Sequence, residues 1–130
     1  MSQISILHTA LNASNLRQDV ISNNIANAET PGYKSKQVVF ENILKQQLSN
    51  QTNFKGTRTD SRHFNIGLPS NLPQPEVVEL TETKIQNSGN NVDIEEEMTR
   101  LSKNALWYYT LTQQLNSEFQ KLSIAIKGRV

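Results

Sequence analysis

Residues Asn23–Gln37 read NNIANAETPGYKSKQ, and this stretch decides the fold. Asparagine recurs at positions 23, 24 and 27 within a segment of helical periodicity; Thr30-Pro31-Gly32-Tyr33 follows at once. Pro31 has no amide hydrogen and pushes Thr30 out of the helical region. Gly32 tolerates the positive φ that a type II turn requires at its second central position. The tetrapeptide is therefore expected to end a helix and redirect the chain. Asn23 and Asn27 are four apart and share a face. Uncharged amides there can bond backbone groups of a neighbouring element, or simply cap their own helix end.

Upstream, residues 3 to 28 are predicted helical. Ile4, Leu7, Leu11, Ser14, Gln18, Ile21, Ile25 and Ala28 recur with alternating steps of three and four, the pattern of a coiled-coil seam. Ala10, Ala13, Val20 and Ala26 widen that face, and small alanines admit a close neighbour.

Downstream, the same alternation returns over residues 93 to 127. Its seam is Met98, Leu101, Ala105, Tyr108, Thr112, Leu115, Phe119, Leu122 and Ile126, with Trp107 and Leu111 to one side. Asp93 is the expected N-cap, Glu96 the reciprocal member of a capping box, and Glu95 and Glu97 suit the positive end of the helix dipole. Lys121, Lys127 and Arg129 suit the other end, and Gly128 ends the helix.

Between the helices the composition changes. Residues 50 to 75 are rich in Asn, Thr, Ser, Gly, Pro and Gln, and Pro69, Pro73 and Pro75 exclude a helix there. A short helix is predicted at about 40 to 49, with weak strands at Lys36–Val39 and Pro75–Leu80. The rest is expected to be loop, or disordered until something binds it. The expected class is mainly α: two long terminal helices paired as a coiled-coil-like hairpin around a polar, partly disordered insert. The segments are 1–32 (helix and turn), 33–88 (insert) and 89–130 (second helix). At 1.5 Å per residue the helices would be about 40 and 50 Å long. Each has more apolar width than one partner covers, which argues for assembly with further helices.

Composition narrows the function. The 130 residues carry 13 basic and 12 acidic side chains, no basic run and no cysteine. The electrostatic footprint of a nucleic-acid binder is missing, as are thiolate metal sites. Neither a Sec-type signal peptide nor an apolar run of about 18 residues is seen, so no direct membrane insertion is expected. Composition alone reads as cytoplasmic. His8 and His63 stand without a catalytic or metal-ligating constellation, and no cofactor or enzymatic activity is expected.

ISNNIANAETPGYK resembles the N-terminal signature of the bacterial flagellar axial proteins, S-x-N-I-A-N-x-x-T-x-G-(Y/F). The matching residues are Ser22, Asn24, Ile25, Ala26, Asn27, Thr30, Gly32 and Tyr33. Asn91, Val92, Asp93, Glu95, Glu97 and the helix after them resemble the closing helix of the proximal rod subunits, and Thr59–His63 is similar to a Thr-x-x-x-His segment of the same subunits. Short length and an uninterrupted TPGY favour a short proximal rod subunit within that family. Glu29 departs from the usual uncharged polar residue.

The resemblance implies a structural subunit of the proximal rod of the flagellar basal body, exported without a cleaved signal through the type III apparatus. It moves the expected location from cytoplasm to periplasmic rod. It implies assembly through the terminal helices into a torque-transmitting helical tube. Expected partners are copies of the chain, other rod subunits, membrane-ring and adaptor proteins of the basal body, and the export apparatus. The interface would be built on Ile4, Leu7, Leu11, Ile21, Ile25, Met98, Leu101, Tyr108, Leu115, Phe119 and Leu122. The motif and turn residues would be Asn24, Asn27, Thr30, Pro31, Gly32 and Tyr33. Phe40 and Leu44 resemble a short export-gate motif, and equally fit one apolar face of the short helix. A free-standing coiled-coil adaptor is the competing reading.

Overall fold

The computed structural model describes residues 3–50, 73–81 and 89–128. The expectations for the polar stretch after Asn50, for Thr59–His63 and for Arg129 lie outside the described residues. In chain order the elements are α1 (Gln3–Ala26), β1 (Lys36–Val39), α2 (Glu41–Asn50), β2 (Glu76–Glu79) and α3 (Ile94–Lys127).

The helices α1 and α3 form an antiparallel hairpin. Ser14 and Asn104 meet across it, and Ala10 and Ala13 share a buried cluster with Leu111 further along α3. Phe40, at the start of α2, completes that cluster, and Leu7, Leu11 and Leu44 pack around it. Two buried alanines on α1 provide the space that the ring of Phe40 and the side chain of Leu111 fill. Burying each of those large side chains contributes roughly 2 kcal/mol.

The face that α3 turns to α1 differs from the predicted seam. Glu97, Asn104 and Leu111, spaced by seven, are the buried residues of the helix, with Leu101 and Leu115 half-buried beside them. Met98, Tyr108, Phe119, Leu122 and Ile126 are exposed, and Thr112 is half-buried. One line of the predicted seam is thus shifted by one residue. The cause is that Glu97 and Asn104 are polar, so apolar periodicity passes over them, yet both are buried with partners inside the chain.

On α1 the buried set is Thr9, Ala10, Ala13, Ser14, Val20, Ile21 and Asn24. Ser14 and Ile21 fall on the predicted line; Gln18 is exposed, and Ile4, Leu7, Leu11 and Ile25 are half-buried. The alanine line contributes Ala10 and Ala13, whereas Ala26 is exposed.

The helix ends follow capping chemistry. Asp93 accepts from the backbone N–H of Glu95 and Glu96 at 2.9 and 3.3 Å. The reciprocal half of the capping box is replaced: the Glu96 carboxylate pairs with Arg100 at 2.6 Å, one turn along. Gly128 closes the helix in the left-handed conformation, φ 60°.

The strands β1 and β2 pair antiparallel, Lys36 opposite Glu79 and Val39 opposite Glu76. Val38 faces inward and is buried, while all four residues of β2 are exposed. The ribbon is held to the hairpin by its contacts with α1.

Candidate assembly site

Two regions carry the features by which this chain could join others: a polar junction where α1 meets the ribbon and the start of α3, and the exposed apolar surface of α3.

At the junction, α1 ends in the turn. Thr30 is followed by Pro31 and by Gly32 at φ 73°, and the Tyr33 N–H donates to the Thr30 carbonyl at 3.3 Å. Thr30, Pro31 and Gly32 are exposed; Tyr33 folds back, half-buried. Its hydroxyl donates to Asn24 Oδ1 at 3.2 Å. Burial, and then the carboxylates of Glu79 and Glu97, hold the phenol above its ordinary pKa of 10.0, so it stays a donor.

Asn24 is fully buried. Its Nδ2 donates to the Lys36 carbonyl at 2.8 Å, and its Oδ1 accepts the Lys36 N–H at 3.0 Å. One side-chain amide thereby saturates both outward backbone groups of Lys36, as a paired strand residue would. Asn23 and Asn27 behave differently. Their Nδ2 groups donate to carbonyls four residues earlier, Asp19 and Asn23, on the exposed side of the helix. Of the three asparagines, only Asn24 reaches another element. Asn27 Oδ1 also takes the Thr30 hydroxyl at 3.3 Å, which supports the turn.

Two further asparagines complete the junction, and the sequence did not mark them as site residues. Asn90 Nδ2 donates to three carbonyls, those of Asn27, Ala28 and Thr30, at 3.0, 2.9 and 2.9 Å. Its Oδ1 accepts the Val92 N–H at 2.7 Å. It is a C-terminal cap for α1 delivered from the chain that leads into α3. Asn91 is inserted between the strand ends: its Oδ1 takes the Ser35 N–H and its Nδ2 the Leu80 carbonyl, each at 2.6 Å. Lys34 Nζ donates to the Gly89 carbonyl at 2.7 Å. An NN pair after a glycine reads as a loop; what could have pointed to it is that α1 ends without a basic residue or C-cap glycine for its carbonyls.

A further buried amide, Asn104, fixes the register of the hairpin. Ser14 Oγ donates to Asn104 Oδ1 at 3.0 Å, and Asn104 Nδ2 returns a bond to the Ser14 carbonyl at 2.9 Å. Nearby, Glu97 is buried; Oε1 pairs with Arg100 at 3.0 Å and Oε2 has no hydrogen-bond partner among the described residues. A groove of about 530 Å³ runs here between α1, β1 and α3, with Ile21 and Val38 on its floor and Trp107 at its side. Arg17 and Glu41 also line it, with Arg17 Nη2 donating to both carboxylate oxygens of Glu41, at 2.6 and 2.8 Å.

The exposed apolar surface of α3 has a different character. Met98, Leu106, Tyr108, Tyr109, Phe119, Leu122, Ile124 and Ile126 are all more than 40% exposed. From the Ser14–Asn104 clasp, α1 runs back to Gln3 while α3 runs on to Lys127. Roughly the last dozen residues of α3, about 18 Å, therefore extend past the described start of α1. Of the predicted interface residues, Ile21 is buried within the chain; Ile4, Leu7, Leu11, Ile25, Leu101 and Leu115 are half-buried; Met98, Tyr108, Phe119 and Leu122 remain available to neighbours. Phe40 is buried in the core cluster and Leu44 packs beside it. No described helix is long and apolar enough to cross a membrane.

A family model described as flagella basal body rod protein matches residues 4–34, from α1 through the turn. The chain is 38% identical over 126 residues to the flagellar basal body rod protein FlgB of Bacillus subtilis, covering 96% of this chain and 93% of that one. It is 33% identical to the protein of the same name from Aeromonas hydrophila, covering 92% and 88% of the two chains. With that of Borrelia hermsii it shares 33% identity over 95% of each.

Proposed function

The chain belongs to the FlgB-type flagellar basal body rod proteins, and on that premise we propose that it builds the proximal rod through the apolar surface that α3 leaves exposed. It is a structural subunit of the flagellar basal body rod, associated with other rod and basal-body components. The observation that carries the finer reading is the apolar surface left on α3: large side chains stand exposed along it and continue past the start of α1. Covering that surface is favourable, at about 25 cal/mol per Å² of apolar area removed from water. A neighbour's helix laid against it would use Met98, Tyr108, Phe119 and Leu122 on one side and the half-buried Ile4, Leu7 and Leu11 on the other. Such a contact joins different patches on the two subunits, so it propagates as a helix of subunits and does not close as a dimer. The resulting tube would transmit torque along the rod.

The junction would then be the rigid corner from which α1 and the ribbon are presented to neighbours, with TPGY turning the chain out of the helical layer. Delivery through the type III export apparatus is part of the same proposal. Phe40 and Leu44 are core residues here, so an export gate could read them only in the unfolded chain. Ring and adaptor proteins of the basal body are the further partners proposed.

The test is fractionation in the source organism. A tag is inserted after Asn50, at the end of α2, and detergent-extracted basal bodies are purified. The tagged chain is expected to co-purify with the rod, and Phe119→Ser with Leu122→Ser to remove it from that fraction. A chain that supports motility yet stays soluble as a discrete dimer would overturn the rod reading in favour of an adaptor.

A further inference from the structure

The groove between α1, β1 and α3 lies on one flank of α3. Asn104 faces α1. At about 100° per residue, Arg100, Lys103 and Trp107 of the groove then fall to one side of Asn104. Ile94 and Met98 fall to the other side, with Glu95 beyond Met98 on the back of the helix. The two flanks match in character. The groove has Val20, Ile21 and Val38 at its floor, and Trp107 is 45% exposed at its side. Of its cations, Arg17 is held by Glu41, and Arg100 by Glu96 and Glu97. The ammonium groups of Lys36 and Lys103 have no partner among the described residues, and both lysines are exposed. On the opposite flank, Ile94 and Met98 are 49% and 50% exposed. The Glu95 carboxylate beside them is exposed and has no partner among the described residues.

We propose that the groove receives the start of α3 from a second copy of this chain, with Ile94 and Met98 against Trp107 and Glu95 against Lys103. Charge selects this segment. The two unpartnered lysines at the groove call for a carboxylate, and the start of α3 brings one next to two uncovered apolar side chains. The other uncovered apolar stretch of the chain, the end of α3, carries Lys121 and Lys127 and would bring cations to cations. Met98 suits the position, because a flexible thioether fills an irregular groove and makes favourable contact with an indole. Groove and ridge lie on opposite flanks of one helix, so neither can fill the other within a chain. The contact joins different patches and repeats from copy to copy.

The inference rests on the rod reading and names what receives the Met98 end of the exposed surface. Tagged wild type, Lys103→Glu, Glu95→Lys and the double variant carrying both reversals are compared by incorporation into purified basal bodies. Thermal unfolding of each purified chain is measured alongside. Each single reversal is expected to melt with the wild type and to be incorporated about fivefold less. The double variant restores the attraction between copies and is expected to recover to within about twofold of the wild type. A double variant no better than the single ones overturns the inference. A loss for Lys103→Glu with none for Glu95→Lys assigns the groove to a different acidic chain and also overturns it. Glu95→Lys sets a cation at the positive end of the helix dipole, and if it unfolds early, cross-linking decides. The chain has no cysteine. Co-expressed Glu95→Cys and Lys103→Cys chains are therefore expected to form a mixed cross-link in purified basal bodies, and links between like chains alone, or none, overturn the contact. Equal incorporation of the wild type and every variant overturns the inference while the rod reading stands. Absence of the tagged wild type from basal bodies overturns both.

Discussion

The two ends of the hairpin solve opposite problems. At the junction, polar groups are buried and saturated: Asn24, Asn90 and Asn91 spend their amides on the backbone of the turn after α1 and on Ser35, Lys36, Leu80 and Val92. At the far end of α3, apolar groups are exposed, with Phe119, Leu122, Ile124 and Ile126 uncovered. The first region is complete within one chain, because a buried unpaired amide or carbonyl costs about 1–3 kcal/mol. The second is incomplete, because its large side chains gain little until something covers them. A single subunit therefore carries a rigid corner and an unfinished face, which suits a part meant for assembly.

The sharpest way to break this contrast is at Asn90. Asn90→Ala leaves the buried Val92 N–H and the Ala28 carbonyl without their partner. The expected loss is about 3 kcal/mol in the isolated chain, read by denaturant unfolding at low concentration. A loss below about 1 kcal/mol would mean water replaces the amide, and the junction is not the closed unit described.

Gly32 comes next. Its φ of 73° disfavours any side chain, yet a Cβ built there meets nothing within 4 Å. Gly32→Ala is therefore expected to cost about 1 kcal/mol, all of it backbone strain, and Gly32→Asn less, since asparagine tolerates that conformation. Equal losses for the two, in the same unfolding measurement, would point to a lost contact in place of the torsion angle.

What the sequence made legible follows the same division. Local rules place the turn, Asp93, Gly128 and the strand at Lys36–Val39, because proline, glycine, capping carboxylates and β-branched runs act over a few residues. The partners of long-range amides are not local. Asn24 and Asn91 could be singled out by their motifs, but not the backbone groups they bind, which lie eleven or more residues away, and Asn90 looks like an ordinary loop residue. One line of the inward face of α3 differs for a related reason: apolar periodicity counts Met98 and Phe119, while the helix buries Glu97 and Asn104 beside the expected Leu101, Leu111 and Leu115. The excess apolar width of α3 was legible, and it is the surface now seen exposed.

Tyr33→Phe tests the rim of the junction. Losing one hydrogen bond to Asn24 is expected to cost about 0.5–1.5 kcal/mol near neutral pH. The pH dependence has a definite sign. The folded phenol is held above 10.0 by burial, Glu79 and Glu97, so the unfolded chain releases its proton first. Tyr33 thus stabilises the fold fully below pH 10, and that contribution declines as pH rises through the folded value. Tyr33→Phe should lose this part of the alkaline destabilisation. An unchanged profile would place the phenol in solvent, outside the junction.

The smallest effect on the single chain is expected at the unfinished end. Leu122 is 46% exposed, so Leu122→Ser should change monomer stability by no more than about 0.5 kcal/mol. Leu111→Ser, on the same helix but 7% exposed, should lower it by several times as much. Incorporation into basal bodies should rank them the other way per unit of stability lost, because Leu122 stands uncovered past the described start of α1 while Leu111 is already buried within the chain. If Leu122→Ser destabilises the monomer like Leu111→Ser, the end of α3 is already covered within the chain. If it leaves both monomer and rod untouched, the exposed apolar face has no structural consequence, and the contrast between the two ends is one of composition alone.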